Sequence, residues 1–264
     1  MKIAISGKGG VGKTLLAALL SRTFADSGYS VLAIDADPDS NLAATLGFPE
    51  PEKITPISEM SDLIEERTGA RPGKGAGFFK LNPRVDDLPE KYWLEYNGIK
   101  LMVMGRAKKG GSGCYCPENA LVRALVSHLI LLRNEVIILD MEAGIEHLGR
   151  ATAKAVDRLI VVVEPGRRSI ETAYKINELA QDIGLHNMIM VGNKIRSQAD
   201  KEFLISSLPG FNFIGFIPFD QALVEADIAN RPLVDSSTQI IAEVRNIYQA
   251  LLSSLQAQEL PTRE

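Results

Sequence analysis

The sequence predicts an α/β fold, a mainly parallel central sheet with helices on both faces. Three observations predict it. Short continuous apolar runs recur along the chain, the pattern of strands buried on both sides. Amphipathic stretches of helical length separate them, so that strand and helix alternate. The 264 residues, 45% of them apolar, suffice for one sizeable core.

The first strand, Ile3–Ser6, runs into Gly7-Lys8-Gly9-Gly10-Val11-Gly12-Lys13-Thr14. This segment fits the phosphate-loop pattern G-x-x-x-x-G-K-[ST] and carries an extra lysine after the first glycine. The glycines let successive backbone N–H groups turn inward around a triphosphate. Lys13 reaches the β- and γ-phosphates, and the Thr14 hydroxyl ligates Mg²⁺. Lys13–Asp26 then reads as a helix whose positive end faces the phosphates. A Gly-rich turn between strand and helix is the plain alternative, and the full pattern in this setting favours nucleotide.

Further strands are expected at Ser30–Ile34, Ile99–Met104, Val136–Asp140, Leu159–Val163, Met188–Val191 and Phe213–Ile217. Helices are expected at Ser58–Glu66, Pro117–Arg133, Leu148–Val156, Ser169–Ile183, Asp200–Ser207, Gln221–Ala229 and Thr238–Gln256. Arg67 to Leu88 is richer in Gly, Pro and Lys and reads as an excursion from the sheet. One domain is expected over residues 1–256, with 257–264 a polar, frayed tail.

Composition narrows the function classes. A net charge of -4, from 29 basic and 33 acidic residues, supplies no excess positive field for nucleic acid or an anionic membrane. No apolar stretch has the length to span a bilayer. Met1-Lys2-Ile3 enters the first strand directly, leaving no room for a signal peptide, so a cytoplasmic protein is expected. Two cysteines make no disulfide framework.

Two acidic positions extend the nucleotide site. Asp35-Ala36-Asp37-Pro38-Asp39-Ser40-Asn41 follows the second strand, and Asp37 there can reach Mg²⁺, directly or through water, or an attacking water. An Asp/Pro turn with Asn41 capping a helix is the alternative. Val136–Asp140 ends in a carboxylate, and Gly144 lies four residues on, the D-x-x-G arrangement. Asp140 would hold Mg²⁺ through water, and the Gly144 N–H would sense the γ-phosphate. Asn193 closes another strand and offers both donor and acceptor to a purine edge. Guanine sites of the N-K-x-D type need Asp three residues later. Arg196 stands there, so adenine is expected.

Cys114-Tyr115-Cys116-Pro117 is the second informative segment. Two thiols one residue apart chelate a soft metal but supply only two ligands, whereas structural zinc or an iron–sulfur cluster usually takes four. Two copies facing across a two-fold axis would supply the rest. Pro117 suits a first helical position, which puts Cys116 at a helix N-terminus where a thiolate is favoured, with Lys108 and Lys109 nearby. Ordinary thiols are the alternative, though the flanking glycines and proline make a buried core unlikely ground for them. His147 reads as a partly exposed residue beside the switch, and His128 as a packing residue.

Taken together, GKGGVGKT, DADPDSN, Asp140, Asn193 and Ile217-Pro218-Phe219-Asp220-Gln221 resemble the deviant-Walker P-loop ATPases of the MinD-like (SIMIBI) class, which include MinD, ParA and the nitrogenase iron protein. The resemblance implies that Lys8 crosses a homodimer interface to the partner's phosphates. It also implies that Asp37 supports water attack, and that Asn193 and the Pro218 loop hold adenine. Lys8, Lys13, Asp37 and Asp140 are then the catalytic set, and ATP with Mg²⁺ the cofactors. Within that class, Gly113-Cys114-Tyr115-Cys116-Pro117-Glu118-Asn119 and Asp140-Met141-Glu142-Ala143-Gly144-Ile145-Glu146-His147 resemble the CooC-type nickel-insertion ATPases. Their role implies Ni²⁺ held between the Cys114/Cys116 pairs of two copies, with apo carbon monoxide dehydrogenase or acetyl-CoA synthase as client. Thiolates alone do not choose the metal, and Zn²⁺ would also accept them. A MinD/ParA-type positioning ATPase is a competing reading, but Thr238–Gln256 carries one arginine, Arg245, which is poor for anionic lipid. A zinc or iron–sulfur scaffold ATPase is the third.

Overall fold

A computed structural model describes residues 1–73, 78–105, 116–145 and 148–259, with side chains to residue 254. Among these residues eight strands form one sheet in the order β3-β4-β2-β5-β1-β6-β7-β8. The strands are β1 (Lys2–Gly7), β2 (Val31–Ala36), β3 (Leu94–Tyr96), β4 (Ile99–Val103), β5 (Val136–Met141), β6 (Arg158–Val163), β7 (Met188–Ile195) and β8 (Phe213–Pro218). All pair in parallel except β3, which is antiparallel to β4. The expected architecture is therefore the observed one.

The helices are α1 (Lys13–Asp26), α2 (Leu42–Leu46), α3 (Ser61–Thr68), α4 (Leu88–Tyr92), α5 (Pro117–Leu132), α6 (Arg150–Ala153), α7 (Arg167–Asp182), α8 (Gln198–Ser207), α9 (Gln221–Ile228) and α10 (Thr238–Glu259). They divide between the faces. Ile3 and Ile5 join the core under α1, α2 and α10, while Ala4 between them joins the core under α3, α5, α7 and α8. That period of two is what a sheet buried on both faces requires.

Three differences from expectation have local causes. Strand β3 forms because Asn97 and Gly98, with φ of 48° and 73°, make the tight left-handed turn that folds it onto β4. Helix α6 spans four residues where nine were expected, and Gly149 precedes it. Helix α10 continues to Glu259, past the expected start of the tail. The excursion after α3 is pinned at its far end: Arg67 donates to both Asp87 carboxylate oxygens at 2.8 Å. That contact holds the Asp87 carboxyl well below the usual carboxylate range.

Candidate functional site

Strand β1 sits in the middle of the sheet with β5 and β6 on either side, and the phosphate loop leaves its C-terminal end. Gly12 caps α1 in the left-handed region, φ 94°, and a Cβ there would lie 2.2 Å from Asn193 Nδ2. Only glycine fits that conformation and that space. Carbonyls of the loop are tied from outside. Asn193 Nδ2 donates to Val11 O at 2.7 Å, and Lys194 Nζ donates to Gly10 O at 2.6 Å. Carbonyls turned outward leave the loop's N–H groups to an anion at the helix end.

Beyond the loop lies a cleft of about 720 Å³, lined by Gly9, Gly10, Gly12, Lys13, Thr14, Asp37, Glu142, Ala143 and the segment around Asn230 and Arg231. Lys13 is buried, with Nζ 3.6 Å from Asp37 Oδ2. Gly7, Val11, Lys8, Asp140, Gly144, Asn193 and Pro218 are not among the residues that line this cleft. Asn41 does take the cap position of α2, but its side chain donates to Asp39 O; Asp35 instead accepts the Leu42 N–H at 2.9 Å. The DADPDSN segment is thus both a helix start and a carboxylate cluster.

Asp140 and Asp35 are register partners on adjacent parallel strands, and both are buried. Burial, and then the neighbouring Asp35 charge, pushes the Asp140 carboxyl up to about 8; the Thr14 hydroxyl and Lys13 oppose the shift. Burial likewise pushes Asp35 up to about 6 against the N–H groups of Leu42 and Asp37. Thr14 stands beside Asp140 without completing a hydrogen bond, and both Asp140 oxygens are buried with no hydrogen-bond partner among the described residues. Unpartnered hard oxygens beside a hydroxyl and a third carboxylate, Asp37, fit Mg²⁺. When bound, the ion would neutralise phosphate charge, with Thr14, Asp37 and Asp140 holding it.

Several residues that sequence reasoning passed over complete the surroundings. Asp35 is one. Ser6 is another: its buried hydroxyl lies 2.9 Å from Glu142 O and 3.0 Å from Gly144 O, fastening the D-x-x-G segment to β1. Glu164, at the end of β6, bridges Lys8 Nζ and Lys194 Nζ, each at 3.0 Å. Burial works against its charge, yet the two lysines hold its carboxyl below the ordinary value. No motif announced Ser6 or Glu164, since only the strand order puts them beside the loop.

Asn193 is buried behind the phosphate loop, and its Oδ1 accepts the Lys194 N–H at 2.8 Å. Lys194 itself takes a left-handed φ of 57°. Pro218 pairs with Ile195 at the end of β8, and Arg196 lies over the Phe219 ring at 4.5 Å. Cys116 is the half-buried cap of α5, as Pro117 at its first position foretold. Glu118, in the same first turn, buries Oε2 without a hydrogen-bond partner among the described residues. Cys114, Lys108, Lys109 and His147 lie outside the described residues.

Residues 2–233 match the family described as the CobQ/CobB/MinD/ParA nucleotide binding domain. The chain is 46% identical over 254 residues to the carbon monoxide dehydrogenase accessory protein CooC of Rhodospirillum rubrum, covering 96% of each chain. It is 44% identical to an uncharacterised ATP-binding protein of Methanocaldococcus jannaschii, covering 96% of this chain and 98% of that one. Among solved structures, MinD of Pyrococcus horikoshii complexed with Mg-ADP superposes with a TM-score of 0.67 at 19% identity, covering 98% of each chain. MinD of Aquifex aeolicus superposes at 0.66 with 23% identity, covering 95% of this chain and 96% of that one.

Proposed function

The chain belongs to the CobQ/CobB/MinD/ParA nucleotide-binding family, and within it to the CooC-type ATPases that hydrolyse ATP, and on that premise we propose an ATP-dependent metallochaperone that inserts nickel into carbon monoxide dehydrogenase, acetyl-CoA synthase or both. Two copies pair face to face in the cytoplasm when ATP and Mg²⁺ are bound. Cys114 and Cys116 of each copy hold the nickel between them, a soft-ligand seat that Zn²⁺ also suits. Lys8 reaches the partner's phosphates. Asn193 and Pro218 border the adenine, the Gly144 N–H meets the γ-phosphate, and Asp37 orients the attacking water. Hydrolysis removes the phosphate that Lys8 holds, the pair loosens, and the metal passes to the apo-enzyme.

One observation carries this reading. Cys116 caps α5 (Pro117–Leu132), and after three residues the chain enters β5 (Val136–Met141), which bears Asp140. One helix and one strand therefore connect Cys116 to Asp140, the carboxylate assigned to Mg²⁺ in this reading. The name of the Rhodospirillum relative supports carbon monoxide dehydrogenase as a client.

The test is nickel equilibrium dialysis and apo-enzyme activation, with and without a non-hydrolysable ATP analogue. Cys114→Ala with Cys116→Ala should abolish nucleotide-dependent nickel binding at one ion per two chains while ATP turnover persists. Undiminished binding and activation by that variant would refute the reading.

A further inference from the structure

Lys8, the residue that the proposed function sends to a partner's phosphates, is held within its own chain. Its Nζ lies 3.0 Å from Glu164 Oε1. The opposite oxygen of the same carboxylate lies 3.0 Å from Lys194 Nζ, and Lys194 is itself fixed to Gly10 O. Glu164 is also placed by its backbone, whose N–H donates to Ser169 Oγ at 3.0 Å near the start of α7. The carboxylate is thus built into the rim of β6 and β7, and of its two lysines Lys194 has a second anchor on the Gly10 carbonyl, which makes Lys8 the member free to leave.

One ammonium cannot serve Glu164 and a second chain's triphosphate equally. We propose that Glu164 is a positioning residue that parks Lys8 in cis and so sets the nucleotide and protein concentrations at which the dimer assembles. This rests on the proposed function for Lys8's destination. The device is reversible for a stated reason. When Lys8 departs, Lys194 stays, so the partly buried carboxylate keeps a cation and its loss of Lys8 costs little. A triphosphate offers more negative charge than a carboxylate already shared between two lysines, so it wins the lysine when a loaded partner arrives. In the nucleotide-free chain the same ion pair keeps Lys8 from binding other anions.

A partly exposed pair of this kind biases its lysine by about threefold. Two lysines are released per dimer, so removing both pairs should tighten the dimer by about tenfold. The measurement is the monomer–dimer dissociation constant of the full chain by analytical ultracentrifugation, with Mg²⁺ and a non-hydrolysable ATP analogue. Glu164→Gln and Glu164→Ala should each tighten it, and Lys8→Ala should weaken it. Glu164→Ala added to Lys8→Ala should change nothing further. If Lys8→Ala weakens the dimer and both Glu164 variants leave it unchanged or weaker, the parking role is wrong and the proposed function stands. If Lys8→Ala has no effect, the destination of Lys8 is wrong, and the inference falls with it. An effect of Glu164→Ala that persists in the Lys8→Ala background marks a structural role and also overturns the inference. A second readout needs no dimer: acylation of Lys8 in the nucleotide-free monomer, followed by mass spectrometry, should be about threefold faster in Glu164→Gln. Equal rates would show that Glu164 does not restrain the amine.

Discussion

Asp140→Asn on the nucleotide-free chain tests the buried carboxylate pair most directly. Asp140 is fully buried, and burial first and Asp35 second push its carboxyl up to about 8. In the unfolded chain the same group ionises near its ordinary value of 3.8. Between those values the folded state keeps a proton that the unfolded state has lost, so raising the pH favours unfolding. The slope for one group is about 1.36 kcal/mol per pH unit. Asp35, pushed up to about 6, adds to the slope below that pH and has mostly titrated above it. From pH 6 to pH 8 the wild type should therefore lose roughly 2–3 kcal/mol through Asp140 alone. For a chain of this size that is a fall in Tm of roughly 5–10 °C. Asparagine fills the same volume and does not ionise, so the variant should be flat by comparison. The three histidines contribute equally to both profiles and cancel in the difference. Calorimetric melts in chelator at pH 6, 7 and 8 read the effect. Parallel profiles for wild type and variant would refute the account of the pair.

Three further outcomes follow from the geometry. Gly12→Ala places a methyl 2.2 Å from Asn193 Nδ2 at a φ of 94°, so ATP affinity should fall more than about tenfold in a calorimetric titration, with the fold kept by circular dichroism. Ser6→Ala frees the Glu142 and Gly144 carbonyls from β1, and kcat for ATP hydrolysis should drop by about tenfold while the Kd for ATP stays within about twofold. An equal loss in both would place Ser6 in binding instead. Arg67→Ala removes the two contacts to Asp87, which should speed limited proteolysis between residues 69 and 87 without slowing ATP turnover.

The parallel sheet was legible because strands buried on both faces write themselves as unbroken apolar runs, and α1 because its motif fixes its first residue. Asp37, Asp140 and the loop glycines were legible for the same reason: short-range patterns at the ends of strands. Strand β3 was missed although Asn97-Gly98 is a strong hairpin signal, because Leu94-Glu95-Tyr96 is too short and too exposed to show a pattern. Helix α2 stood in the sequence only as the alternative to site chemistry, with Asn41 as its cap; Asp35 supplies the Leu42 N–H with a partner, so one segment serves both purposes. Ser6 and Glu164 could not be read locally. Their partners are 138 and 156 residues away, and only the placing of β1 between β5 and β6 brings them together. Asn193 was singled out for the base, and its hydrogen bond to the Val11 carbonyl is a second task invisible in the motif.

The order β2-β5-β1-β6-β7 supplies the polar machinery from five consecutive strands: Asp35, Asp140, Ser6, Glu164 and Asn193. The outer strands β3, β4 and β8 contribute much less to it. The molecule thus has a fixed middle and editable flanks. Loops grafted or lengthened at the margins would leave the spacing of the central row alone, whereas a shift of one residue anywhere within that row would turn its side chains to the opposite layer. Diversification among descendants of this scaffold, or redesign for a new cargo, has its room at the periphery.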